Sequence, residues 1–568
     1  MLPKEFKERM TALLGDEAQR LFDEIENVEA IKAFRVNCIK CNSDMLEAAG
    51  AAVDRDDSLW VENAYYTREK FPGSLPEHHS GAIYMQDPSA MATVSAIGDI
   101  CGKTVLDSCA APGGKTGQLA SKVGECGVVF ANEYEPSRAR ILQSNVERMG
   151  CGNVIISNVD TSTYYEDYKD YFDLVLCDAP CSGEGMFRKN ERAIEEWSVE
   201  NVKMCAERQR EILSNVVACV KKGGQLLYST CTFSLEENEM NVAWLLDKYP
   251  EFELLDVPEA LKRATSDGIC LEERPYDMKK TRRFYPHVSK GEGQFIALLG
   301  RKNDESCSVG DACPNVCEDT RKPDKKGKKS SKNDQNKNSK LQNKQYVELI
   351  SLGKAFLQEN LAKLPRGELV VLGGKLWLSP TADLLPYGMV TAGVCLGEAQ
   401  KGRFVPHHQL FSAFGKLFLR RLCLSYNSTL TSAYLFGEEL NVGAVEKVEL
   451  GAADASATCT ATNSEVGEAM NSKVGAVEKV ELGAADGSAT CAAANSEVGE
   501  AANSEVGDAY RGDHLLEFLN KDVYVSPEKA QNGWAAVLLG GCATGGVKIS
   551  GDVAKNHYPK GLRNKRMG

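Results

Sequence analysis

The sequence predicts an α/β protein built on an open, mostly parallel sheet with helices on both faces and smaller α+β units around it. Between residues 96 and 300, short apolar runs alternate with stretches in which apolar residues return every three or four positions, the rhythm of repeated βαβ units. Acidic residues stand at the ends of successive runs, where an open sheet collects its ligands. At 568 residues the chain is too long for a single hydrophobic core, so several domains must share it.

Residues 1–95 open with two helices. Pro3 suits the first turn of one whose apolar face is Leu2, Phe6, Met10, Leu13 and Leu14, and Ala18, Leu21, Phe22 and Ile25 make the second. Ala33 to Asn37 then alternates as a strand does. In residues 96–300 the expected strands are Thr104–Asp107, Gly127–Ala131, Asn153–Ile156, Phe172–Leu176 and Gly224–Tyr228, with a late one at Gln294–Leu299. Helices are expected over 115–122, 136–149, 202–220 and 235–247. Residues 301–344 are polar, basic and aperiodic, the composition of a disordered linker. Residues 345–440 read as an intermediate domain, with a helix from His408 to Tyr426. Residues 441–510 hold a duplication: Val442–Ser472 returns nearly verbatim as Val474–Ser504. The repeated stretch has no aromatic residue and reads as a low-complexity insert, not a solenoid. A small domain occupies 511–568.

A hydrophobic fraction of 43% and a charged fraction of 26% fit a soluble globular protein. Lys4, Glu5, Lys7, Glu8 and Arg9 are unlike the start of a secretory signal, and no apolar run reaches about 18 residues. A cytoplasmic location without a membrane partner is therefore expected. The 20 cysteines are expected to be mostly small buried residues, not a disulfide framework. The C-x-x-C of Cys38 and Cys41 lacks a second pair at zinc spacing, so no metal is expected.

The segment from Val105 to Thr116 puts small residues between a strand and a helix, which lets backbone approach a nucleotide closely. It is not a phosphate-binding P-loop, because Cys109 stands where that loop needs glycine, and the dinucleotide pattern G-x-G-x-x-G is absent. A nucleotide-like ligand without a pyrophosphate remains. Glu133 suits its ribose hydroxyls and Asp160 an adenine amine, while Asp107 and Asp178 end two further strands.

Asp178-Ala179-Pro180-Cys181-Ser182-Gly183 and Ser229-Thr230-Cys231-Thr232 follow adjacent strands, which brings two thiols to one crevice. That pair matches methylation at carbon-5 of cytosine. A thiolate adding at carbon-6 makes carbon-5 nucleophilic, and a second group then removes the carbon-5 proton so the adduct can break down.

These segments resemble the NOL1/NOP2/Sun (NSUN) family of RNA cytosine-5 methyltransferases over residues 1 to about 300. Arg35-Val36-Asn37, Gln86-Asp87-Pro88-Ser89 and Arg283-Phe284-Tyr285-Pro286-His287 complete the likeness. The resemblance implies a Rossmann-like S-adenosylmethionine methyltransferase sheet at 96–300. It implies Cys231 as nucleophile, Cys181 assisting release, and Asp178 in the catalytic set. It assigns S-adenosyl-L-methionine binding to Cys109, Ala110, Ala111, Pro112, Gly113, Gly114, Lys115, Glu133, Asp160 and Asp178, with Arg138 near the ribose. Leu385-Pro386-Tyr387-Gly388, Lys401-Gly402-Arg403-Phe404 and Lys555 to Arg563 look like the RsmF branch. That likeness implies an RRM-like N-terminal domain, an intermediate α+β domain and a PUA-like domain at 511–568. It makes small-subunit 16S rRNA the expected partner, ahead of tRNA, with the protein acting as a monomer.

The formal charge of −13 does not oppose an RNA partner, because it is unevenly spread. Residues 446–508 carry twelve acids and three bases, whereas 321–344 carry ten bases and two acids. The basic stretch is either a phosphate-binding arm or a solvated linker, and Arg188 and Lys189 either contact a phosphate or flipped nucleotide or else cap a helix or face solvent. A ribosome-assembly factor with a vestigial site is the competing reading, and retention of both thiols argues against it.

Overall fold

The computed structural model describes residues 1–48, 61–68, 72–303, 332–381, 385–441, 523–525 and 532–563. Two N-terminal helices, Lys4–Leu14 and Glu17–Asn27, precede a three-stranded antiparallel sheet of β1 (Lys32–Val36), β2 (Ala64–Thr67) and β3 (Ile83–Met85) in the order β2-β1-β3. This region does not close a core of its own. Phe6 and Phe22 of the helices pack with Phe187, Trp197 and Tyr285. Phe34, Val36 and Ile83 of the sheet share a core with Leu422, Val537 and Val547 from the other end of the chain.

The central sheet contains β4 (Thr104–Asp107), β5 (Val128–Asn132), β6 (Val154–Ser157), β7 (Phe172–Asp178) and β8 (Val220–Thr230), all parallel, in the order β6-β5-β4-β7-β8. β9 (Phe252–Leu254), β10 (Ser266–Asp267), β11 (Arg282–Phe284) and β12 (Gln294–Arg301) extend it, with β12 antiparallel to β8. The expected strands are all present, most within a residue or two and the one expected at Gly224–Tyr228 starting four residues earlier at Val220, because each is an apolar run whose two faces are both covered: Val105, Val129, Ile156 and Leu174 face one core, and Leu106, Phe130, Val175 and Leu226 the other. The connections reverse direction at β4, so the crevice between β4 and β7 is the topological switch point where ligands gather.

The C-terminal half supplies β13 (Glu368–Leu372), β14 (Lys375–Ser379), β15 (Met389–Ala392), β16 (Val394–Gln400) and β17 (Arg403–Pro406). β13, β14, β16 and β17 form an antiparallel sheet, whereas β15 leaves it and pairs antiparallel with β6 at the edge of the central sheet. A six-stranded sheet follows from β18 (Arg421–Leu424), β19 (Leu440–Asn441), β20 (Val523–Val525), β21 (Gly533–Leu539), β22 (Cys542–Ser550) and β23 (Val553–Asn556). The buried Lys40 ammonium joins four regions here, donating to Ser80 O, Arg148 O, Ser412 Oγ and Ala543 O at 2.6–3.0 Å. No helix among the described residues is long and apolar enough to cross a membrane.

Two expectations are corrected. The helix expected from His408 to Tyr426 ends at Phe414. Gly415 there fits against Ala536 and Ala543 with no room for a side chain, and Leu422 and Leu424 alternate into β18 beside β21. The linker expected to reach residue 344 gives way to a helix at Lys332 that runs to Asn360. Lys and Gln are good helix formers without an apolar face, and Leu349, Phe356 and Leu357 anchor the helix downstream. The duplicated Val442–Ser504 stretch lies outside the described residues.

Candidate active site

The turn from β4 to the helix Gly114–Val123 runs through Cys109 to Gly113 and needs glycine for two reasons. Gly113 has φ +106°, a left-handed value that L side chains rarely adopt. A Cβ on Gly114 would lie 2.9 Å from Tyr84 Cε1. Arg35 reaches the same turn, with Nη2 3.4 Å from Gly114 O, and Gln86 lies against it. These residues therefore build the turn from below.

The acidic residues expected at the strand ends gather here. Asp107 is buried, its Oδ2 accepting from Thr116 Oγ1 at 2.7 Å while Oδ1 has no partner. Burial pushes its pKa up to about 7, and the neighbouring Asp178 and Glu133 add to the rise. Asp178 Oδ2 takes the Lys115 ammonium at 2.7 Å, and its Oδ1 accepts from Ser229 Oγ at 2.6 Å. Glu133 Oε2 accepts from Ala111 N, and Arg138 Nη2 donates to Ala111 O at 2.9 Å, so both brace the turn. Asp160 sits farther out, exposed, capping the helix Thr161–Asp167 through Ser162 N.

Cys181 and Cys231 lie side by side. β7 and β8 are paired parallel with Asp178 opposite Ser229, so the loops that leave them start level. The sulfurs are 3.1 Å apart, both partly exposed, and Cys231 N donates to Cys181 Sγ at 3.3 Å. The neighbouring Cys231 sulfur and burial push the Cys181 thiol up.

Sequence reasoning overlooked the support beneath this pair. Glu184 and Glu237 are fully buried below the two loops and bind Ser182, Thr232, Phe233 N and Ser234. The signal present in the sequence was a glutamate three residues after one cysteine and another six after the second. Arg283 is not in the crevice: it pairs with Glu239 and donates to Phe233 O, while Tyr285 stacks on Phe233. Arg188 is structural, with its side chain 3% exposed and its guanidinium held by Glu24, Glu292 and Gly291 O. Lys189 pairs with Asp87.

Three family models match the chain. Residues 100–300 match 16S rRNA methyltransferase RsmB/F, residues 2–88 the N-terminal domain of 16S rRNA methyltransferase RsmF, and residues 511–564 the methyltransferase RsmF PUA domain. Among curated relatives, ribosomal RNA small subunit methyltransferase F of Enterobacter sp. (strain 638) is 36% identical over 43% of this chain and 49% of its own length. The protein of the same name from Psychromonas ingrahamii is 33% identical over 55% of this chain and 65% of its own. The chain thus spans about half to two thirds of the length of these relatives. A crystal structure of a methyltransferase homolog protein from Pyrococcus horikoshii is 31% identical, covering 53% of this chain and 95% of that one, with a TM-score of 0.46.

Proposed function

Because this chain belongs to the RsmB/F family of 16S rRNA methyltransferases, with the RsmF N-terminal and PUA domains at its two ends, we propose that it methylates carbon-5 of cytosine in ribosomal RNA. The observation that carries this reading is the contact of Cys181 and Cys231 over one end of the sheet. A single thiol suffices for many reactions, but carbon-5 methylation needs one to add and another group to clear the proton. S-adenosyl-L-methionine, when bound, supplies an electrophilic methyl group on a sulfonium.

The residues fit such a donor. Asp107 Oδ1 is buried without a partner, and the three carboxyl groups of Asp107, Glu133 and Asp178 stand against the two cations Lys115 and Arg138 around the turn, an excess of acid that suits a cationic donor. The residues that would hold it are Cys109 to Lys115, Glu133, Arg138, Asp160 and Asp178.

The Cys231 thiolate adds to carbon-6 of a cytosine taken out of its stack, and carbon-5 becomes able to accept a methyl group. Cys181 Sγ then assists removal of the carbon-5 proton, and the Cys231 sulfur–carbon bond breaks. Asp178 holds Lys115 and Ser229 beside the crevice. Small-subunit rRNA is the substrate of this reading, and the protein acts in the cytoplasm as a monomer.

Denaturing gels with small-subunit rRNA test it. Cys231→Ala abolishes methyl transfer, and Cys181→Ala accumulates a slow-migrating covalent protein–RNA adduct. Activity retained by Cys231→Ala, or no adduct from Cys181→Ala, refutes the assignment.

A further inference from the structure

Four buried side chains form a chain directly beneath the thiol pair. Glu237 Oε1 lies 2.5 Å from Ser182 Oγ, Ser182 Oγ 2.8 Å from Thr232 Oγ1, and Thr232 Oγ1 2.9 Å from Glu184 Oε2. Ser182 follows Cys181 and Thr232 follows Cys231, so the chain crosses from one thiol loop to the other.

Each oxygen–oxygen contact needs one hydrogen. The two hydroxyls supply two, and three contacts need three, so one carboxyl must carry the third. Glu184 cannot be that group, because its oxygens accept from Trp197 Nε1, Ser234 Oγ, Thr232 Oγ1 and Phe233 N, the partner set of an ionised carboxylate. Glu237 Oε2 is taken by Ser182 N and Gln209 Nε2, which leaves Oε1 facing the Ser182 hydroxyl.

We propose that Glu237 is a positioning residue that carries a proton on Oε1 and so directs the chain Glu237 to Ser182 to Thr232 to Glu184, locking the Cys181 and Cys231 loops together. This deepens the proposed methyl-transfer reading and rests on it only for its catalytic consequence. The surroundings agree. Burial and the charge of Glu184 push Glu237 up to about 7. Cys181, Cys205 and Tyr228 face it from the first thiol loop, the helix Val199–Val216 and β8, with Arg208 acting on Cys205. Arg210 is occupied by Asn241, Arg283 by Glu239, and the adjacent Glu236 by Arg9. Without its proton, Ser182 Oγ and Thr232 Oγ1 meet lone pair to lone pair. The lock is complete at pH values below the ordinary carboxylate pKa and is lost as pH rises through about 7.

The test uses full-length Glu237→Ala, Glu237→Gln and Glu184→Gln. Glu237→Ala lowers kcat by about a hundredfold, the scale of an ångström's misplacement of reacting groups. Glutamine supplies the N–H that Ser182 needs and keeps an acceptor, so Glu237→Gln recovers about tenfold or more of that loss. Its rate also lacks the decline that the parent shows as pH rises through about 7. Glu184→Gln sets an amide nitrogen against donors and is not tolerated. Infrared difference spectra of parent against Glu237→Gln in mildly acidic buffer show a protonated-carboxyl band that titrates near 7. That band reads the proton whether or not the protein methylates RNA, and whether or not Glu237→Ala folds. Absence of the band, Glu237→Gln no better than Glu237→Ala, or tolerance of Glu184→Gln with loss of Glu237→Gln overturns the proposal.

Discussion

Arg283 and Glu239 form a two-pronged ion pair, Nε to Oε1 at 2.7 Å and Nη2 to Oε2 at 2.5 Å, with both side chains out of solvent. A third N–H of Arg283 goes to Phe233 O, two residues beyond Cys231. The pair therefore anchors the far end of the Cys231 loop to β11. Removing one partner strands a buried charge: Arg283→Met is expected to destabilise the fold by about 3–5 kcal/mol. Chemical unfolding measures this, and the double variant Arg283→Met/Glu239→Leu should recover most of the loss.

Asp178 offers the second prediction. It accepts from Lys115, Ser229 and Gln294, and Asp178→Asn leaves the half-buried Lys115 without its counter-charge. Affinity for S-adenosylmethionine, measured by equilibrium dialysis, should fall about tenfold or more. Unchanged affinity would remove Asp178 from the donor site.

The Asp107 carboxyl gives a pH prediction. Its pKa is raised to about 7 in the fold from an ordinary value of 3.8, so the folded state holds the proton more tightly than the unfolded one. The associated stability is fully present below 3.8 and is lost as pH rises through about 7. Asp107→Asn should flatten that part of the profile, so that its melting temperature relative to the parent rises between acidic and neutral pH.

Arg188 separates a structural cation from an RNA-binding one. Its guanidinium is enclosed by Glu24 and Glu292, and Arg188→Met is expected to cost about 3 kcal/mol of stability. The salt dependence of RNA binding by the folded variant should match the parent, since no phosphate contact is removed. A shallower salt slope would return Arg188 to the RNA surface.

The contrast between Arg188 and Cys231 explains what the sequence could reveal. Cys231 sits just after one apolar run and Cys181 just after another, and because the two runs are adjacent parallel strands the strand pattern alone brings the thiols together. The strands β4 to β8 were legible for the same reason. Arg188 depends on Glu24 and Glu292, 164 and 104 residues away, and no local pattern announces such partners. Glu184 and Glu237 were hidden differently: a carboxylate in a polar stretch reads as solvated, and only the three-dimensional packing buries it. The break after Phe414 was illegible because Gly415 is required by Ala536 and Ala543, more than a hundred residues downstream.

The strand β15 has a final consequence. Thr391 Oγ1 accepts from Ile156 N and Gly388 O accepts from Asn158 N, so a segment of the C-terminal half finishes the central sheet on the side of Asp160. The two halves are thus not interchangeable modules joined by a tether. A chain ending before residue 385 would leave β6 with bare backbone donors and acceptors, a template on which further copies can add. The outer half thus shields the edge of the inner one, and domain-swapping experiments between relatives must carry residues 385–392 with the central sheet.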